Sequence, residues 1–282
     1  MNLIVISLIT LVLIGSISAI TLYFVSKKFQ VFEDPKINEV EIVLPSANCG
    51  GCGFPSCHSF AIECVNSDSL KGLCCTVGGT KTMEKVAQVL GKTVVIQVPT
   101  VAVVRCGGTC EKRPRRNQYD GVKHCFIAHN LYSGETGCSW GCLGLGDCEM
   151  SCKFDAIHVN PETQIPEVNV DKCTSCGACV KACPKLLIEL RKKGPKSRRI
   201  YVNCRNEDKG PTTAKACIVG CIGCGKCMKI CPYDAITITN HLAFIHDDKC
   251  KLCRKCVEVC PTNAIVELNF PPRRIRSIEK AP

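Results

Sequence analysis

The chain has 282 residues with a formal net charge of +11, and 27 of its residues are cysteine. Most of these thiols stand two or three residues apart, where they cannot readily pair with one another, so the composition excludes a disulfide scaffold and indicates metal binding. The basic charge does not by itself predict nucleic-acid binding, because the sequence has no basic aromatic-rich sheet motif and no zinc-finger spacing of Cys and His.

The first predicted element is an uncharged apolar segment, residues 2–26. About 23 helical residues span roughly 35 Å, which is enough to cross a bilayer with some tilt. The segment lacks the basic start and the cleavage site of a signal peptide, so we predict a retained transmembrane anchor over residues 1–26. Lys27 and Lys28 follow directly. The positive-inside tendency then places the amino terminus outside the inner or plasma membrane and the bulk of the chain in the cytoplasm.

A polar connector, residues 27–46, is predicted to lead to an N-terminal domain over residues 47–92 that begins with the cysteine group NCGGCGFPSC. The glycines of this group let the backbone approach a metal centre closely, where N–H groups can donate hydrogen bonds to sulfur. The helical pattern of residues 81–90 ends at Gly91. The predicted ligands of an iron–sulfur cluster in this domain are Cys49, Cys52, Cys57 and Cys75, with Cys74 as the alternative to Cys75.

A connecting region, residues 93–137, combines a strand-like stretch over residues 93–105 with a basic, turn-rich loop over residues 111–121. Two cysteine-rich modules follow, at residues 138–191 and 217–270, separated by a basic linker and followed by a basic tail. The linker covers residues 192–216 and the tail residues 271–282. The two modules repeat each other closely, which indicates duplicated centres of one kind rather than two different active sites.

The strongest motif is the run CxxCxxCxxxCP, which begins at Cys173, Cys221 and Cys250. Three thiolates at this spacing bind one [4Fe–4S] cluster and the fourth binds the neighbouring cluster, whereas zinc sites need two separated CxxC pairs. This crossed pattern predicts three sites. They are Cys152 with Cys173, Cys176 and Cys179; Cys260 with Cys221, Cys224 and Cys227; and Cys231 with Cys250, Cys253 and Cys256.

The first module departs from the motif in CSWGCLGLGDCEMSC, where Leu145 replaces a cysteine and Lys153 replaces the proline that follows the run. A fifth cluster is predicted from Cys142, Cys148 and Cys183, with Cys138 as the nearest candidate for the fourth ligand. A sixth is predicted from Cys106, Cys125, Cys204 and Cys217, with Cys110 as the alternative to Cys106. Cys64 is predicted to be a small buried apolar residue. A cubane with four thiolates carries roughly −2, so six clusters would offset the positive charge of the chain.

The anchor, the NCGGCGFPSC group with its distal CCTVGG, and the two ferredoxin-like modules together resemble the B subunit of the Rnf electron-transport complex, in its longer form. The resemblance covers essentially the whole chain. The expected fold is α+β, with a single N-terminal transmembrane helix, a small iron–sulfur domain and two tandem bacterial-type 2×[4Fe–4S] ferredoxin modules.

The resemblance implies an electron-transfer subunit of a membrane complex that passes electrons from reduced ferredoxin to NAD⁺ and couples this to Na⁺ or H⁺ translocation. Its expected partners are the other membrane and peripheral subunits of the complex and soluble ferredoxin as the donor. The sequence has no GxGxxG turn after a strand and no nucleophile–base pair, so we predict no NAD site and no catalytic residue in this chain.

Two other functions fit parts of the pattern. One is an anchored iron–sulfur relay subunit of a hydrogenase or formate dehydrogenase, against which the N-terminal cysteine group argues. The other is a zinc-stapled interaction protein without a redox role. The basic loops around Arg113 and around Arg198 are interpreted as solvated surface, which can attract an acidic ferredoxin.

Overall fold

The computed structural model describes residues 3–28, 33–93, 98–132 and 134–272. They form a long N-terminal helix, a small helical domain and two α+β modules, and this architecture confirms the predicted fold class. Parts of several predicted segments lie outside the described residues. These parts are residues 1–2 of the anchor, residues 29–32 of the connector, residues 94–97 of the strand-like stretch, residue 133 of the connecting region and residues 273–282 of the tail.

Helix α1, Leu3–Lys28, presents its apolar side chains outward along its length, and Leu11 is 73% exposed. Its segment Val5–Lys28 is the one span within the described residues that is long and apolar enough to cross a membrane, and none of it is buried against the rest of the chain. A continuous apolar surface of this size requires a lipid or protein partner. Helix α1 therefore fits the predicted anchor.

The N-terminal domain consists of three helices packed around Phe60, which is 1% exposed and meets Phe54 edge to face. The last helix ends at Gly91, whose φ of 64° is in the left-handed region, so the predicted helix end is confirmed. The three helices are α2, Pro35–Val43; α3, Cys57–Asn66; and α4, Gly79–Leu90.

The predicted connector is too long, because its second half belongs to this domain. Asp34 caps helix α2 by accepting a hydrogen bond from the backbone N–H of Lys36 at 2.9 Å. Ile37, Val40 and Leu44 are buried against the other two helices. Their helical spacing is present in the sequence, but the helix has only nine residues, four of which are polar or charged.

The two modules repeat the same succession of strands and short helices. The first contains β1, Thr100–Val104; α5, Cys125–Leu131; α6, Asp147–Met150; β2, Ile157–Val159; β3, Pro166–Val168; α7, Ala178–Ala182; and β4, Ile188–Lys192. The second contains β5, Arg199–Val202; α8, Gly210–Ala216; α9, Lys226–Ile230; β6, Ile236–Thr239; β7, Leu242–Ile245; α10, Lys255–Glu258; and β8, Ile265–Leu268.

Each module is closed by a strand that precedes its cysteine run. Strand β1 pairs antiparallel with β4, and β5 pairs antiparallel with β8 in the same way. Within each module the two remaining strands form a hairpin, β2 with β3 and β6 with β7. The predicted connecting region and the predicted basic linker therefore each contribute one strand to a module. The predicted modules, which begin at residues 138 and 217, do not include these strands.

Two buried arginines join the modules. Arg105 is 2% exposed, pairs with Glu189 at 3.2 Å, and donates to the backbone carbonyl oxygens of Val202 and Cys204 at 3.3 and 3.2 Å. Arg191 is 3% exposed and donates to the carbonyl oxygen of Ile245 at 2.7 Å. Because these bonds satisfy buried carbonyl groups of the second module, the two modules are held in a fixed arrangement.

The interpretation of both basic loops as solvated surface is wrong for part of their residues. Arg113 is 8% exposed and Arg199 is 5% exposed. Arg115 is 49% exposed but pairs with Glu135 at 3.0 Å. The alternation of Arg with Pro and Lys in the sequence gives no signal of which guanidinium turns inward, because that depends on contacts with distant segments.

Candidate iron–sulfur sites

The N-terminal domain brings together Cys49, Cys52, Cys57 and Cys75 around a cavity of about 320 Å³, and Cys74 does not line it. The loop is closed by Asn48, whose side-chain oxygen accepts a hydrogen bond from the backbone N–H of Cys57 at 2.7 Å. The backbone N–H of Gly78 donates to the sulfur of Cys75 at 3.3 Å. The geometry thus assembles the four sulfurs that the sequence favours.

Three further predicted groups are also assembled. Cys152, Cys173, Cys176 and Cys179 line a cavity of about 350 Å³ in the first module, and Cys221, Cys224, Cys227 and Cys260 line one of about 340 Å³ in the second. Cys256 lies near Cys231, Cys250 and Cys253. Burial is the main cause that raises the pKa of the Cys256 thiol to about 12, and the neighbouring thiols raise it further. The crossed pairing of each fourth cysteine with the other run is therefore present in both modules.

The irregular site of the first module is lined by Cys125, Cys142, Cys148 and Cys183, around a cavity of about 400 Å³. Asp147 positions the first of these, because its carboxylate accepts hydrogen bonds from the backbone N–H groups of Cys125 at 2.8 Å and Phe126 at 3.0 Å. Leu145, which replaces the expected cysteine, lines the same cavity. The structure thus places Cys125, and not the predicted Cys138, beside Cys142, Cys148 and Cys183.

The sixth group lies between the modules and is lined by Cys106, Cys138, Cys204 and Cys217, around a cavity of about 330 Å³. It includes Cys138 in place of the predicted Cys125. Cys110 points elsewhere, with its sulfur 3.7 Å from the carbonyl oxygen of Thr163. Asn206, which is 1% exposed, donates from its side-chain amide to the sulfur of Cys138 at 3.4 Å.

The repeat explains why Cys125 and Cys138 are exchanged. Cys106 follows strand β1 as Cys204 follows β5, and Cys138 begins the first run as Cys217 begins the second. The junction therefore uses two equivalent pairs, one from each module. Cys125 lies in the longer segment between Cys106 and Cys138, which has no counterpart of equal length in the second module. Equivalence of the repeats was the signal that sequence reasoning missed.

The donor set and its surroundings fit iron–sulfur clusters. Burial raises the pKa of the Cys148 and Cys204 thiols to about 12 and that of Cys179 and Cys227 to about 11. These thiols stay protonated at neutral pH until a metal replaces the proton, so loading releases protons. In the described part of the chain no group of three or more Cys, His, Asp or Glu could hold a single metal ion. Four thiols grouped together are the donor set of an iron–sulfur cluster.

The six groups form a continuous line. The N-terminal loop touches the first module at Gly51, where an added Cβ would lie 2.7 Å from the Cα of Cys176. Lys153, the replacement for proline, donates to the carbonyl oxygen of Asn48 at 3.2 Å across the same contact. From there, pairs of thiols in successive groups lie close enough to interact electrostatically. These pairs are Cys179 and Cys148, Cys142 and Cys106, Cys204 and Cys221, and Cys227 and Cys256.

This fold and its thiol groups define a membrane-anchored iron–sulfur protein with tandem ferredoxin modules. Comparison with known families supports the class. One family described as a 4Fe-4S dicluster domain matches residues 136–187 and 220–264, and another of the same description matches residues 169–235. A family described as a putative Fe-S cluster matches residues 44–75.

Curated relatives identify the family. The chain is 44% identical over 237 residues, 84% of the chain and 70% of the relative, to the B subunit of the Na⁺-translocating ferredoxin:NAD⁺ oxidoreductase complex of Acetobacterium woodii. It is 40% identical over 250 residues, 89% of the chain and 87% of the relative, to the B subunit of the proton-translocating complex of Clostridium ljungdahlii. The chain belongs to the family of B subunits of the Rnf complex, which confirms the resemblance.

Proposed function

We propose that this chain is the electron-transfer subunit of an ion-translocating ferredoxin:NAD⁺ oxidoreductase. It relays electrons from reduced ferredoxin toward the subunits that reduce NAD⁺ and translocate Na⁺ or H⁺. The observation that carries the proposal is the continuous line of six four-thiol groups, which runs from the second module to the domain next to the anchor. Family membership supports the same role.

Six [4Fe–4S] clusters, when bound, supply one-electron transfer at the six groups. The chain's own residues hold them, bury them and donate N–H groups to the ligand sulfurs, which sets their potentials. Five of the six proposed ligand sets each line a common space, and the thiols of the set formed by Cys231, Cys250, Cys253 and Cys256 lie near one another. The sets are Cys49, Cys52, Cys57 and Cys75; Cys152, Cys173, Cys176 and Cys179; Cys125, Cys142, Cys148 and Cys183; Cys106, Cys138, Cys204 and Cys217; Cys221, Cys224, Cys227 and Cys260; and Cys231, Cys250, Cys253 and Cys256.

Exposure and charge favour the second module as the docking end for ferredoxin. Among the ligand cysteines, Cys224 and Cys253 are exposed. Exposed lysines flank Cys253 at Lys249, Lys251 and Lys255. A basic rim around an exposed ligand accelerates association with an acidic partner and loses that advantage as salt rises. The opposite end of the line reaches the N-terminal domain, which follows the anchor in sequence.

The proposal is tested on the full-length protein purified anaerobically in detergent. Six clusters correspond to about 24 iron atoms and as many acid-labile sulfides per chain. We expect reduced ferredoxin to bleach the visible absorption rapidly at low salt. The double variant Lys251→Glu, Lys255→Glu should slow this reaction on the order of 10-fold at low salt and little at high salt, while the control Lys36→Glu leaves it unchanged. A colourless, zinc-containing protein would exclude the electron-transfer function.

The orientation of the anchor is part of the proposal. Lys27 and Lys28 at the end of helix α1 favour a cytoplasmic location for the modules, with the amino terminus outside. The cytoplasm is a reducing compartment, which keeps iron-binding cysteines from forming disulfides. Protease added to intact spheroplasts should leave the modules whole, and protease added to inverted vesicles should digest them. Digestion in the spheroplasts would reverse the assignment.

A further inference from the structure

Arg113 is built into the wall of the cavity between the modules. It is 8% exposed and lines the space bounded by Cys106, Cys138, Cys204 and Cys217. Its Nε donates to the carbonyl oxygen of Gly108 at 3.1 Å. The long side chain points along this wall rather than toward solvent, although the sequence of its loop predicts a basic, solvated surface.

Two glycines leave room for the Arg113 side chain. A Cβ added to Gly108 would lie 3.1 Å from the Cδ of Arg113 and 3.3 Å from the sulfur of Cys217. A Cβ added to Gly141 would collide with the guanidinium group itself. The guanidinium therefore lies in van der Waals contact with the backbone between Cys138 and Cys142.

The charge of Arg113 has no carboxylate partner. Two other deeply buried arginines, Arg105 and Arg191, both pair with Glu189, at 3.2 and 2.6 Å. Within the described residues no Asp or Glu forms an ion pair with Arg113. A buried unpaired cation is strongly unfavourable. An iron–sulfur core bound by four thiolates carries roughly −2 and supplies the missing negative charge.

We propose that Arg113 is the counter-charge of the junction [4Fe–4S] site and raises its reduction potential, so that an electron passing between the modules is held there. The inference rests on the proposed function. Reduction adds one negative charge to the site, and ferredoxin supplies the electron. A cation fixed in a poorly solvated cavity stabilises the reduced form more than the oxidised form. Asn206, on the other side of the cavity, donates a neutral hydrogen bond and adds no charge.

The test is a potentiometric titration of the full-length, cluster-loaded protein followed by EPR. The signal that disappears in Cys217→Ala identifies the junction site. In Arg113→Gln that signal should need a lower potential, with a change on the order of 10-fold in the reduced-to-oxidised ratio at fixed potential, which is 59 mV for one electron. Arg113→Lys, which keeps the charge, and Arg115→Gln, in the exposed part of the same loop, should leave it close to that of the wild type.

Iron analysis of the same samples separates the outcomes. A junction signal that does not move in Arg113→Gln, with about 24 iron atoms retained, overturns the inference and leaves the proposed function standing. An equal shift in Arg113→Lys also overturns it, because the charge is then not the cause. Loss of the junction iron in Arg113→Gln but not in Arg113→Lys supports the counter-charge role, whereas loss in both contradicts it. A wild type without junction iron overturns both proposals.

Discussion

Alanine at Cys125 and Cys148 together should remove a single cluster, lowering the iron content from about 24 to about 20 atoms per chain. Alanine at Cys125 and Cys217 together should remove two clusters and leave about 16. The reason is that Cys125 and Cys148 line one cavity, whereas Cys217 lines another. Losses from one shared site do not add, and losses from separate sites do.

A second pair of double variants tests Cys138 in the same way. Cys138→Ala with Cys217→Ala should leave about 20 iron atoms, and Cys138→Ala with Cys148→Ala about 16. Alanine is preferred to serine because it cannot ligate iron. The matched controls are Cys64→Ala and Cys110→Ala, which remove thiols outside the six groups and should retain the full complement. The opposite pattern in the two pairs would restore the ligand assignment read from the sequence.

Enlarging Gly51 should break the relay without emptying any site. A Cβ at this position would lie 2.7 Å from the Cα and 2.8 Å from the Cβ of Cys176, so the N-terminal loop and the first module must separate. Overpacking of this kind costs about 1 to 3 kcal/mol. In Gly51→Val we expect all clusters to remain and electron delivery beyond the first module to slow on the order of 10-fold or more, because a misplacement of about 1 Å can cost about 100-fold in a reaction that depends on position.

Rapid mixing with reduced ferredoxin, followed by freeze-quench EPR, measures this transfer directly. The signals of the two modules should appear at the wild-type rate, and the signal lost in Cys57→Ala should appear late. Gly53→Ala is the control, because nothing lies within 4 Å of a Cβ there, although its φ of 93° is strained for any side chain. If Gly51→Val and Gly53→Ala transfer electrons equally fast, the contact at Cys176 is not on the path.

Much of the molecule was predictable because cysteine spacing is a local property. The spacing of the run from Cys250 to Cys260 predicts the crossed arrangement of its thiols from a few residues, and the hydrophobic segment before Lys27 predicts a membrane environment. The helix ending at Gly91 follows from a local backbone requirement. In each case the decisive residues lie within a few turns of one another.

The failures all involve contacts between segments distant in sequence. The second half of the connector packs into the N-terminal domain, and Arg113 turns inward between Gly108 and Gly141. The choice between Cys125 and Cys138 is of the same kind. Both stand within reach of either site along the chain, so spacing cannot separate them.

The sequence by itself determined the anchor, the class of cofactor, the repeated modules and the family, because these depend on composition and short-range spacing. The tertiary structure decided which cysteines share a cavity and in what order the cavities follow one another. Pairing of β1 with β4 and of β5 with β8 brings Cys106 and Cys204 together at the junction of the modules. Only that packing gives the junction site its four sulfurs and its buried arginine.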